Sequence, residues 1–157
     1  GPMEMPSETI AAGSRIDLRH AEPGVGGDNV SPQLSWTAGP DGTQSYALTV
    51  YDPDAPTGSG WWHWVVTDIP ADVTALAEGA ELPAGARTWT NDYGYPGWGG
   101  PWPPPGPEHH YVFTIFAVGV PKLDVPDDAS SAVARLTLSF NVLENGSFTA
   151  VFANPAS

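Results

Sequence analysis

Two short runs of the 157-residue chain carry side chains able to do chemistry. The first is Asp52-Pro53-Asp54-Ala55-Pro56. Proline fixes its own φ and restricts the residue before it, so both carboxylates are held on a stiff turn. His63 follows Asp52 by 11 residues and is flanked by Trp61, Trp62 and Trp64. A carboxylate beside an imidazole set among indoles can tune that ring's protonation, which suits proton transfer or the gripping of an anion. In the plainer alternative Asp52 and Asp54 cap the turn and His63 is a core histidine, and spacing alone favours it.

The second run is Gly99-Gly100-Pro101-Trp102-Pro103-Pro104-Pro105-Gly106, followed by His109-His110-Tyr111. Glycines let backbone N–H groups approach a ligand, and prolines hold the loop rigid. Tyr111 lies two residues after His109 and therefore shares its side of a strand. The plainer reading is a Pro-rich surface loop with incidental histidines, and Pro103–Pro105 could also be an extended ligand for another protein. There is no Gly-x-Ser-x-Gly elbow, no phosphate-cradling loop ending in Gly-Lys and no dinucleotide fingerprint. The four histidines sit in no recognised zinc spacing, so neither a metal nor a cofactor is expected.

The elements that must position these residues are mostly strands. Alternating, β-branched and aromatic runs predict strands over Tyr46–Tyr51, Trp62–Ile69 and Tyr111–Val118, with shorter ones near Arg15–Leu18, Gln33–Trp36, Ala86–Thr90 and Ser147–Phe152. Antiparallel neighbours would bring the end of the first and the start of the second to one sheet edge, placing Asp52 beside His63. One helix is predicted from about Ser130 to Leu143, with Val133, Leu136, Phe140 and Leu143 at helical spacing, Asp127 and Asp128 as caps and Gly146 after its end. The stretch Leu136–Val142 also alternates like a strand. Tyr93–Pro107 is too rich in Gly and Pro for regular structure, and such a loop is more often functional than idle.

Composition bounds the rest. Apolar residues make up 41% of the chain, which is the composition of a globular protein. The net charge is −13 with only Arg15, Arg19, Arg87, Lys122 and Arg135 to offset it, so nucleic acid and acidic membrane surfaces are not expected partners. No apolar run is long enough to span a membrane, and no leader opens the chain, so a cytoplasmic location is expected. Gly1-Pro2 reads as a cleavage scar before Met3, leaving residues 3–157 as one expected domain. There is no cysteine, hence no disulfide or thiolate chemistry.

Taken in order, these motifs resemble the phosphatidylethanolamine-binding protein family, in its bacterial Raf-kinase-inhibitor-like branch. The resemblance spans about Asp28 to Val120 through Asn29-Val30-Ser31-Pro32-Gln33-Leu34-Ser35-Trp36, the Asp52–Pro56 turn, Trp62-His63-Trp64-Val65-Val66 with Ile69-Pro70, the Gly99–Gly106 loop and His109-x-Tyr111. It implies a mainly β, antiparallel sandwich with one or two short helices near the C-terminus and a small anion pocket at one end of the sheet. Carried over, the pocket would use Asp52, His63, Gly100, Pro101, His109 and Tyr111, with Asp54, Trp62 and Trp102 as further ligand-binding residues. Three departures stand out: His110 where the family usually has Arg, Trp102 in place of a small residue, and Ala150-Val151-Phe152 where it usually reads Gly-x-Tyr. Trp102 and Phe152 point to a ligand less hydrophilic than a bare phosphate headgroup. The expected function is binding of a small anionic or polar ligand, with a homodimer left open. The alternatives are a cofactor-independent cyclase or isomerase using Asp52, His63 and His109 as acid/base residues, or a protein inhibitor acting by surface contact. A cis Ala55–Pro56 bond is also expected at so sharp a turn.

Overall fold

The computed structural model describes residues 2–157; Gly1, half of the expected scar, lies outside the described residues. Three long strands form where alternation is strongest: β2 (Ser45–Asp52), β3 (Trp61–Pro70) and β6 (His109–Val118). Shorter pieces are β1 (Leu34–Ser35), β4 (Ala75–Leu76) and β5 (Arg87–Thr88), and β7 (Val142–Phe152) ends the fold. The main sheet has the order β5-β3-β2-β6-β7, antiparallel throughout, and β1 pairs β4 in a second small sheet. The mainly β, antiparallel expectation therefore holds.

Alternation sends each strand's residues to two cores. Leu48, Val50, Trp64, Val66, Phe113 and Ile115 meet Leu34, Trp36 and Leu76 from the small sheet on one face. Ala47, Val65, Phe116 and Val118 meet Trp89, Leu123, Val125 and helix α1 (Ser131–Ser139) on the other. With both faces covered, β2 is buried along almost its whole length.

The helix differs from its expectation. It stops at Ser139, because from Val142 the chain pairs with Val118 and continues as the edge strand. Gly146 lies within that strand, and its N-cap is Ser130, whose Oγ accepts from Val133 N at 3.2 Å, in place of Asp127 or Asp128. Its buried face is Ser131, Ala134 and Leu138, whereas Val133, Leu136 and Phe140 face outward at 46%, 60% and 76% exposure. Small residues let the helix approach the sheet closely, and Ser131 Oγ bonds Thr90 O at 2.6 Å. The strand expected over Arg15–Leu18 is a single bridge from Arg15 to Val151, after which a 3-10 turn capped by Asp17 takes over. Among the described residues no helix is long and apolar enough to cross a membrane.

Candidate functional site

Sheet order brings the chemistry together. β2 lies between β3 and β6, so the C-terminal end of β2 meets the N-terminal ends of its two neighbours. Asp52, Trp61, His63, His109 and Tyr111 all stand at that end and line one cavity of about 300 Å³, the lower end of the usual range for small-molecule sites. Ala55, Pro56 and Thr57 from the turn and Tyr93, Trp102, Pro103 and Pro104 from the Gly/Pro loop complete its wall.

Asp52 pairs with His109 and not with His63. His109 Nδ1 donates to Asp52 Oδ2 at 2.7 Å, both side chains being buried, and Asp52 Oδ1 accepts from Asp54 N at 2.8 Å. That second bond fixes the carboxylate from behind, in an Asx turn. His63 instead donates from Nδ1 to Gly99 O at 2.6 Å, which leaves Nε2 as an acceptor. Burial pushes the His63 ring down to about 4, partly offset by the Gly99 carbonyl and Asp52, so it is neutral at pH 7. Of the roles read for His63 from the sequence, gripping an anion through a charged ring is the one this geometry disfavours, because full burial outweighs a carboxylate already committed to His109.

A β-bulge decides which tryptophan enters the cavity. The register runs Val50↔Trp64, Tyr51↔Trp62 and Asp52↔Trp61, which leaves His63 as the extra residue. The bulge turns His63 and Trp61 toward the cavity. Trp62, expected in the pocket, lies against Tyr51 with the ring centroids 4.3 Å apart and the planes tilted by 41°, and packs against the helix-side core. Alternation alone could not reveal this. Trp61 was readable only as the residue opposite Asp52.

Asp54, Gly100 and Pro101 also stand outside the cavity wall. Asp54 Oδ2 accepts from His110 N at 2.7 Å and from His110 Nδ1 at 2.8 Å, latching the turn to β6. The backbone N–H of His110, then its side chain, holds the Asp54 carboxyl below its ordinary range. Gly100 anchors the loop: its N–H bonds Asn29 Oδ1 at 2.8 Å, its carbonyl accepts from Tyr93 OH at 2.8 Å, and a Cβ there would lie 1.9 Å from His20 O. Pro101 O accepts from Glu22 N at 3.0 Å. Asn29 holds this anchor from the left-handed region (φ 54°), where asparagine is tolerated, and also donates to Tyr95 OH and Trp98 O. Phe152 is fully buried in the core and does not itself line the cavity, although it is the cross-strand partner of His109. Peptide bonds of the described residues are all trans, Ala55–Pro56 included: the Asx turn and a Thr57 N–Ala55 O bond of 2.8 Å close the corner without a cis bond.

The cavity wall is aromatic and its floor polar. Trp61 meets Tyr93 edge-on at 5.3 Å, and His63 meets Tyr93 at 5.7 Å and Tyr111 at 5.1 Å. His63 Nε2, Tyr111 OH and Trp61 Nε1 are buried and find no hydrogen-bond partner among the described residues. Burial, with Asp52 nearby, raises the Tyr111 hydroxyl well above its ordinary value, so it is a donor at neutral pH. Tyr93 and Pro103, which sequence reasoning missed, come from the irregular loop, where no periodicity marks a face. No group of three or more His, Cys, Asp or Glu among the described residues is placed to hold a metal ion.

The sequence model of the family described as phosphatidylethanolamine-binding protein matches residues 6–153. YbhB of Escherichia coli is 41% identical over 158 residues, spanning 96% of this chain and 100% of that protein. The crystal structure of Escherichia coli YbcL, titled a new member of the mammalian PEBP family, superposes with a TM-score of 0.92 at 42% identity, covering 98% of this chain and 99% of that one. A homologue from Chlamydia trachomatis superposes at 0.83 with 26% identity over 96% of both chains.

Proposed function

The chain belongs to the phosphatidylethanolamine-binding protein family, and from that premise we propose that it binds a small ligand whose polar head is seated among Asp52, His63, His109 and Tyr111. The observation that carries this reading is that three of the five buried side-chain polar atoms without a partner among the described residues, His63 Nε2, Tyr111 OH and Trp61 Nε1, come from residues lining one cavity, the other two being His20 Nε2 and Trp36 Nε1. Buried polar groups are almost always bonded, and each left alone costs about 1–3 kcal/mol. A ligand oxygen that accepts from Tyr111 and Trp61, together with a hydroxyl that donates to His63, would satisfy all three. Asp52 occupies His109 Nδ1, so Nε2 is the nitrogen His109 has left for a ligand.

The acid/base reading draws on the buried Asp52–His109 pair, in which a carboxylate orients an imidazole inside a cavity. Against it, a His63 depressed to about 4 is a weak base at neutral pH. Binding is the stronger reading.

Calorimetry with inorganic phosphate and a phosphomonoester tests it. His109→Ala is expected to weaken binding by roughly 1.5–3 kcal/mol, the worth of one charge-assisted hydrogen bond, and Asp52→Asn to weaken it by less. Equal affinity for the wild type, His109→Ala and Tyr111→Phe would show that the ligand sits elsewhere.

A further inference from the structure

We propose that Trp102 is a specificity-determining residue of this cavity, selecting ligands whose body is a planar, uncharged ring; the inference rests on the ligand-binding reading above. Its first support is what the wall lacks. None of the five Arg and Lys residues lines the cavity. Arg19 is engaged by Asp17 and Glu78, Arg87 by Asp68, and Arg15 and Arg135 lie over Phe152 and Phe116. In a chain of net charge −13, a doubly charged anion would leave water with no guanidinium or ammonium to receive it.

The second support is how Trp102 is held. Its side chain is 51% exposed, unusual for an indole, yet it is seated. The ring lies so close over Gly24 that a Cβ there would stand 2.3 Å from Cε2, so any other residue at 24 would push it away. Tyr93 runs nearly parallel to it, at 6.3 Å and 27°, and is itself pinned through its hydroxyl to Gly100 O. The next residue is tied down as well, Pro103 O accepting from Asn154 Nδ2 at 3.0 Å. A large apolar surface is thus pre-ordered at the cavity mouth, so a ring stacking on it loses little side-chain entropy. Below it, Tyr111 OH can donate and His63 Nε2 can accept, a pair that matches one hydroxyl on that ring.

The test is an NMR titration of the whole chain with phenol, with cyclohexanol as a saturated, non-planar ring bearing the same hydroxyl, and with inorganic phosphate. Aromatic stacking predicts that the wild type binds phenol roughly threefold to tenfold more tightly than cyclohexanol. Trp102→Ala, at an exposed position, should erase that preference by weakening phenol more than cyclohexanol. A preference that survives Trp102→Ala, or no preference in the wild type, overturns the inference. Phosphate shifting His109 and Tyr111 while phenol shifts nothing also overturns it, and leaves the ligand-binding reading standing. If no probe shifts those residues, both fail together.

Discussion

His63 is the side chain whose environment makes the sharpest claim. Its ring is held neutral by burial, with a value of about 4 in the fold against 6.5 ordinarily. Between those values the unfolded chain binds a proton that the folded chain refuses, so stability falls as pH drops from about 6.5 to about 4. The full loss from this one group is on the order of 3 kcal/mol. Denaturant titrations at intervals across that window check it. His63→Gln, which keeps a donor for Gly99 and cannot titrate, should flatten the dependence; an equally steep profile in that variant would assign the loss to another group. The Asp52–His109 bond shows what spacing could and could not reveal. Both residues were legible as site candidates from the stiff turn and the strand start. Their mutual pairing was not, because it depends on β6 lying on the far side of β2 from β3, a long-range fact absent from either motif.

Elements show a similar division. The three long strands were readable because their alternation is strong and their ends carry Gly, Pro or Asp. Helix α1 was readable in place but not in orientation: the apolar stripe Val133, Leu136, Phe140 suggested one face, and the sheet receives Ala134 and Leu138 instead. Close packing against Ala47, Val65 and Trp89 favours a small residue and one leucine over the bulkier stripe. Leu138→Ala should therefore cost about 2–5 kcal/mol, whereas Leu136→Ala should stay within about 0.5 kcal/mol. Chemical denaturation of the two variants decides it, and the reverse order would mean that the helix is rotated from this placement. The bulge at His63 escaped the sequence for a related reason, since one extra residue switches which tryptophan faces the cavity without changing any residue type. The loop that closes the site hangs on Asn29 and Gly100. Asn29→Ala leaves Gly100 N–H without its acceptor, at a cost of about 1–3 kcal/mol, and amide exchange should accelerate at Gly99–Trp102 before it does in β2.

At the scale of the whole molecule, a net charge of −13 means that carboxylates repel one another across the surface. Sodium chloride raised from about 10 to about 150 mM should screen that repulsion and raise the melting temperature in calorimetry. A fall would show that the ion pairs of Arg19 and Arg87 outweigh the net field. The same field bears on the proposed function: the cavity of this acidic protein has no Arg or Lys in its wall, so the proposed ligand would be recognised by hydrogen bonds and aromatic surface. The central claim is that Asp52, His63, His109 and Tyr111 form one ligand-binding floor. Its most direct test follows the imidazole ¹⁵N resonances of His20, His63, His109 and His110 while inorganic phosphate or phenol is added. Saturable shifts of His63 and His109, with His20 and His110 unmoved and the response lost in Tyr111→Phe with His109→Ala, are what this geometry predicts. Shifts confined to His110, or spread evenly over all four rings, would contradict it.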